Sequence, residues 1–387
     1  MYALLFTDHG LSAWQLSSLL VIWSATGILV EVPSGALADA YSRRALLVLG
    51  PLLTAAGYAL WVGFPSYLAF AGGFVLWGIK GSLASGALEA LVYEELDRLG
   101  AAGAYPRLTG RAHAISVIAV LLATAAATPV MEAGGYPWVG AASVAACVLT
   151  AVIAATFPEH RKAAPASDSS QPDAAPSSGP DGPPVSDLSD EPDTGGYLAT
   201  LRAGVRAART DPVVRPWLLL VPAITAIWGA LEEYTPLLIR HTGVDTAHVP
   251  LFYLLIYAGV SLGGVLAGAG NRLSSRGLGV LLAAAAAGLI AGALGGVPPG
   301  IALVAAAFGA FQVATVVADT RLQDRITGAE RATVTSVAAL ATDVVTIGVY
   351  GLYAVLATAG TPLAFAVLTA PYLLVAAYLI GRRKTRT

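Results

Sequence analysis

Cysteine occurs once in the 387 residues, at Cys147, which excludes an internal disulfide and any cysteine-based metal site. Charge is almost as scarce. Asp, Glu, Lys and Arg make up 12% of the chain, where a soluble domain carries about 25%. There is no Gly-x-x-x-x-Gly-Lys-Ser/Thr loop, so ATP-driven work within this chain is not expected. No His/Glu metal motif and no nucleophile elbow is present, so neither an enzyme nor a bound cofactor is expected. The start has no basic n-region and no small-residue cleavage site, hence no signal-peptide pattern. A net charge of −2 gives no reason to expect nucleic acid as a partner.

Long apolar runs are abundant: 56% of the residues are hydrophobic, and many runs reach the ~20 residues that cross a bilayer. They read as spans at roughly 15–38, 44–64, 66–92, 112–133, 137–157, 216–239, 249–270, 278–297, 300–319, 332–358 and 361–381. The expected fold is an all-α polytopic membrane protein with eleven full spans. Placing Arg43 and Arg44 inside and alternating sides puts twenty of the 22 basic residues inside, the excess that orients membrane proteins. Lys80 lies mid-span and Arg240 faces out. Residues 159–196, rich in Pro, Ser, Asp and Gly, cannot bury enough apolar surface to order themselves. In Tyr197–Arg209, Leu198, Leu201 and Val205 share one face and arginines another. That segment fits an interfacial helix at the inner surface or an ordinary linker helix equally well. The expected organisation is a first bundle over 1–158, a cytoplasmic linker over 159–215, a second bundle over 216–381 and a cytoplasmic tail over 382–387.

The halves look like copies. Gly35-Ala-Leu-Ala-Asp39-Ala-Tyr-Ser-Arg43-Arg44 recurs in degenerate form at Gly264-Val-Leu-Ala-Gly268-Ala-Gly-Asn-Arg272, with Leu two residues and Arg eight residues after the glycine in both. A second echo joins Arg111-Ala-His-Ala-Ile-Ser116-Val117 to Arg331-Ala-Thr-Val-Thr-Ser336-Val337. Duplicated polytopic proteins are mostly transporters. Gly10-Leu11 precedes the span 15–38 as Gly243-Val244 precedes 249–270, which sets Met1–His9 opposite Tyr234–Thr242 and leaves nothing opposite Trp217–Glu233. The first half is therefore expected to lack most of its first helix, from a parent of six plus six spans. A start codon assigned too far downstream, the preferred account, or a real truncation explains the gap.

The Gly35–Arg44 loop resembles the major facilitator superfamily signature Gly-x-Leu-Ala-Asp-Arg-x-Gly-Arg-Lys/Arg, matched here by Gly35, Leu37, Ala38, Asp39, Arg43 and Arg44. Ala40 and Ser42 depart from it. Glu31-Val-Pro33-Ser-Gly35 and Ser85-Gly86-Ala-Leu-Glu89-Ala look like a branch rich in predicted drug and metabolite efflux proteins. The resemblance implies two pseudo-symmetric six-helix bundles and a cytoplasmic gate in which Asp39 faces the amino end of the helix beginning near Arg331. Arg43 and Arg44 would pair with Glu94 or Glu95. A tight turn obeying the charge rule would look the same.

Ionisable groups at membrane depth are functional candidates by default. Glu31 and Lys80 lie within roughly one helical turn in depth, so they form either a structural ion pair or a substrate and proton site, and an unpaired Lys80 could contact an anion. Glu232 and Glu233 sit in the outer half of their span beside Trp228 and Tyr234, where a carboxylate binds a cation, carries a proton or is merely solvated. Asp343 falls near the midplane, as a substrate, proton or interhelix coupling site. Such a chain is expected to be a monomeric secondary active transporter of the plasma membrane. Its partners would be the lipid bilayer, protons and a small amphipathic compound that it exports as an antiporter. Uptake of a sugar or other metabolite, and a non-transporting remnant, scaffold or sensor, are the competing readings.

Overall fold

The computed structural model describes residues 1–40, 42–84, 87–159, 214–326 and 331–381, the side chains of 31–40, 84 and 331–333 excepted. Every regular element among them is a helix. That follows from the solvent, because in lipid each backbone N–H and C=O must find its partner inside the protein. A seven-residue α1 (Tyr2–Asp8) leads into α2 (Ala13–Ala40), α3 (Arg43–Gly63), α4 (Tyr67–Ala84) and α5 (Ala87–Arg98). A 51-residue α6 (Tyr105–Ala155) closes the first half. The second half holds α7 (Arg215–His241), α8 (Val249–Gly270), α9 (Ser275–Leu294), α10 (Gly300–Gln323), α11 (Arg331–Leu356), α12 (Thr361–Thr369) and α13 (Pro371–Gly381). The linker and its expected interfacial helix, and the tail, fall outside the described residues.

Nine helical stretches among the described residues are long and apolar enough to cross a membrane. One of these, Ala102–Ala155, is two legs. The helix breaks at Gly134 and Gly135, and Gly135 at φ 64°, ψ −157° takes a conformation open essentially to glycine. The two spans read at 112–133 and 137–157 are these legs, although the first begins seven residues earlier, at Tyr105, with Pro106 in the first turn where its missing N–H costs nothing. The span read at 361–381 is α12 and α13, parted where Pro371 cannot continue the hydrogen-bond ladder. α7 is not among the nine. It is the most buried helix of the second half, and carries Glu232 and Glu233 inside it.

The two halves repeat one corner. α1 ends at Asp8 and passes through His9 to Gly10 at φ 86°; α7 ends at His241 and passes through Thr242 to Gly243 at φ 89°. Asp8 and His241 therefore stand in the same place before the same left-handed glycine. In each half a glycine-bearing helix also lies backbone to backbone on a neighbour. Gly78 of α4 faces Thr26 of α2, and Ser82 Oγ donates to the Gly27 carbonyl at 3.0 Å. Gly259 and Gly263 of α8 face Ala305 and Gly309 of α10. Such stripes replace the hydrophobic effect, which is absent between helices in lipid, with close dispersion contact.

Aromatic side chains hold α1 in place. Phe6 is fully buried, 4.0 Å from the Phe70 ring and 5.1 Å from Trp61, and Tyr2 stands edge-on to Phe74 and Trp77. The halves then meet along α1 against α7, α2 against α11, and α6 against α8. One contact inside the second half is unusual. The Tyr372 hydroxyl of α13 donates to the Ile224 carbonyl at 2.5 Å and accepts from the Trp228 N–H at 3.0 Å. In a regular helix these two α7 groups bond to each other directly.

Candidate functional site

Glu232 and Glu233 lie on the seam, roughly 10 Å along α7 from Arg240 at ~1.5 Å per residue. Adjacent residues on a helix diverge by about 100°, and the two acids turn to different partners. Glu233 accepts a hydrogen bond from the Tyr2 hydroxyl of α1, across the seam. Glu232 accepts from the Tyr253 hydroxyl of α8, at 3.5 Å from the carboxylate and 3.4 Å from the carbonyl. The next residue, Tyr234, is fully buried; its hydroxyl pairs with Ser17 of α2 at 2.8 Å and its ring stacks on Tyr353 at 3.5 Å. Tyr350 lies 6.0 Å from Tyr234 and bonds to Ser24 of α2. Asp343, two turns earlier on α11, is half-buried and within electrostatic reach of Tyr350. Tyrosines from four helices thus line the seam with hydroxyls able to donate to, or accept from, each acid.

A cavity of about 410 Å³ opens beside these acids. Ala123, Thr124 and Ser143 of the two α6 legs, Pro236 of α7, and Tyr253 and Tyr257 of α8 wall it. Tyr253 is the link, since the hydroxyl bonded to Glu232 belongs to a ring that lines the cavity. A smaller space of about 190 Å³ adjoins it along Val139 and Ser143, lined by Tyr2, Tyr58, Trp61 and Tyr136. Mostly apolar walls with a few hydroxyls and a carboxylate behind them suit a small amphipathic molecule.

An ion pair and a histidine–carboxylate contact join the halves at the Arg240 end. The Arg240 guanidinium of α7 meets the Asp8 carboxylate of α1 and donates to Thr7 Oγ1 at 3.0 Å. Asp8 also accepts from the Tyr136 hydroxyl at 2.6 Å, just past the α6 break. His248 Nε2 stands 3.4 Å from Glu132 of α6. At the other end the described polar contacts of Ser42, Arg43 and Arg44 stay within the first half. Arg43 pairs with Glu94 at 2.5 Å, and Ser42 donates to Glu159. The Arg44 N–H donates to Glu159 at 3.4 Å and its side chain to the Phe157 carbonyl. Burial pushes the Glu159 carboxyl up, but the Ser42 hydroxyl, the Arg44 and Arg43 N–H groups and the Arg44 charge together hold it below the ordinary range. A lowered folded-state value means this clamp contributes above the ordinary carboxyl pKa and is lost as pH falls through the lowered one.

Among the described residues, one pair of the expected gate is present. Glu94 meets Arg43, whereas Glu95 pairs with Arg98 at 3.1 Å, three residues on along the same helix, and Arg44 turns to the end of α6. The side chains of Glu31, Gly35, Leu37 and Asp39 lie outside the described residues, and with them the Glu31–Lys80 pair and the Asp39 contact. The Lys80 stem rests against Gly50 of α3, with Cys147 of α6 in electrostatic reach. Trp228, one turn before Glu232, donates its indole N–H to Thr315 of α10 at 3.1 Å. Tyr2, Tyr253, Asp8, Tyr136, Glu132 and His248 are not in the sequence-based set. Arg240, the one basic residue expected to face out, was the signal for this pair, and Asp8 beside the Gly10 corner its natural partner.

A family model described as the Major Facilitator Superfamily matches residues 1–349. Among solved structures, a variant of the nucleoside transporter NupG superposes with a TM-score of 0.69 at 12% identity, covering 97% of this chain and 92% of that one. A D-xylose–proton symporter superposes at 0.61 with 15% identity, covering 97% and 89%. A bacterial homolog of the human lysosomal transporter Spinster, inward-facing and unoccupied, gives 0.61 at 16% identity over 96% and 89%. No curated protein matches the chain in sequence.

Proposed function

Because the chain belongs to the major facilitator superfamily and has its multi-pass transporter fold, we propose that it is a secondary active transporter exporting a small amphipathic compound against proton entry. The observation that carries this reading is the acid pair at membrane depth, hydrogen-bonded to Tyr2 and Tyr253 on either side of the seam and backed onto the 410 Å³ cavity. A buried carboxylate with phenol partners and access to a cavity can take up a proton in one state and release it in the other. The bundles 1–158 and 216–381 rock about the seam, with linker and tail on the cytoplasmic side of the plasma membrane. Since the basic loops lie inside, the Asp8–Arg240 and Glu132–His248 pairs close the outer side, while Arg43 among the described residues pairs within its own half.

Export as opposed to uptake rests on the efflux-like sequence stretches. Uptake is the second reading, favoured by the D-xylose–proton symporter among the similar structures. Proteoliposomes holding the full chain distinguish the two. Outward-directed substrate flux that dissipates a proton gradient supports export, and gradient-driven accumulation sinks it. In the same assay Asp343→Asn should abolish transport while leaving expression intact; unchanged transport removes Asp343 from the site.

The outer latch makes its own prediction. A half-exposed charge pair is worth about 1 kcal/mol, so Arg240→Ala should raise the outward-open population roughly 5-fold. With Cys147→Ser as background and Ser17→Cys as reporter behind the latch, labelling by an impermeant maleimide should accelerate by that factor. An unchanged rate would mean that the pair does not hold the outer side shut.

A further inference from the structure

Arg321 and Arg325, one turn apart at the end of α10, both lie over the ring of Trp217 in the first turn of α7, with their guanidinium carbons 5.3 and 4.6 Å from its centroid. Each spends one side-chain donor on a backbone carbonyl: Arg321 on Leu273 in the α8–α9 loop, and Arg325 on Arg321 at 2.6 Å. A guanidinium has five N–H groups, so most of their donors remain. No carboxylate of the described residues lies within 4 Å of either, although Asp319 and Asp324 sit on the same helix. Arg215, Arg272 and Arg276 stand exposed around the same end of the half. Two like charges held on one buried indole, with no acid of the described residues between them, repel each other, and an anion bridging the two forks relieves that repulsion.

We propose that Trp217, Arg321 and Arg325 form a binding site for a phosphate group, occupied in the membrane by an anionic phospholipid headgroup of the cytoplasmic leaflet. The planar forks suit a phosphate's paired oxygens, which a lysine's point charge would not match. The position fits as well. The arginines end a span on the side where basic loops collect, and the inner leaflet there carries the anionic lipids. Because Arg321 also ties α10 to the α8–α9 loop, an occupied site braces the inner end of the second bundle where α7, α8, α9 and α10 converge. The site lies in that bundle alone and does not depend on the direction of transport.

The test uses the purified full chain in neutral detergent, read by its thermal midpoint as phosphatidylglycerol, phosphatidylcholine or inorganic phosphate is added at constant ionic strength. Phosphatidylglycerol should raise the midpoint and phosphatidylcholine should not. Arg325→Gln should weaken the apparent affinity for phosphatidylglycerol roughly tenfold, whereas Arg276→Gln, which removes the same charge from an exposed position, should leave it unchanged. Arg325→Lys should behave like the glutamine variant. A rise with inorganic phosphate, lost in Arg325→Gln, would support the site with a soluble phosphate as its ligand. The proposal is overturned if no anion raises the midpoint, or if Arg276→Gln weakens the response as much as Arg325→Gln. Arg325→Gln leaves the Leu273 bond untouched, so the test stands even if Arg321 variants fail to fold.

Discussion

Gly263→Val is expected to eliminate recovery of folded protein, and Gly263→Ala to destabilise it by about 1–3 kcal/mol, the range for overpacking a tight contact. A Cβ at Gly263 would come within 2.2 Å of the Gly309 carbonyl oxygen, and one at Gly259 within 2.3 Å of the Ala305 carbonyl. These obstacles are backbone, so no side chain can rotate away, and α8 and α10 would have to separate. Separation forfeits the dispersion contacts that hold helices together in lipid. Gly264→Ala, next in sequence, is the control, because a Cβ there meets nothing within 4 Å. Gel filtration of detergent-extracted full chain after graded heating measures all three. A Gly263→Val protein as heat-resistant as the parent would show that the helices do not pack this closely.

Glu233→Gln should have a large effect on proton-driven transport. Glutamine keeps an oxygen for the Tyr2 hydroxyl, so the seam contact survives, but the side chain no longer ionises. Proton-driven flux in proteoliposomes should fall roughly 100-fold or more, the lower end of what a positioned proton-transfer group contributes. Exchange of labelled for unlabelled substrate without a gradient, which needs no net proton movement, should persist. Tyr2→Phe leaves the carboxylate without its phenol and should shift the pH at which flux is half-maximal while retaining coupling. If Glu233→Gln still concentrates substrate against a gradient, the proton is carried elsewhere, and Glu232 and Asp343 become the candidates.

How far the sequence goes depends on the distance over which each feature is determined. The break at Gly134–Gly135, the matched corners at Gly10 and Gly243, and the packing stripe at Gly78 and Ser82 are local patterns, and hydropathy or spacing reveals them. The acids at 232 and 233 stand out because a charge in an apolar run is costly wherever it ends up pointing. What they point at does not follow from the run itself. Tyr2 and Glu233 lie 231 residues apart, and Asp8 and Arg240 lie 232 apart. Each pair meets only because α1 and α7 lie together across the seam. The stacking of Arg321 and Arg325 on Trp217 is equally invisible, since the positive-inside rule accounts for both arginines before any partner is sought. Sequence logic also placed Trp228 near the acids, but could not show that its indole N–H reaches Thr315 of α10.

The Tyr372 hydroxyl, set between Ile224 and Trp228, alters what the α7 backbone reports about itself. The Trp228 amide proton reaches a phenol from another helix while lying inside α7. Its exchange with deuterium therefore reports the seating of α13 together with the helicity of α7. Tyr372→Phe removes the phenol, and the same amide then becomes an ordinary gauge of local helix stability.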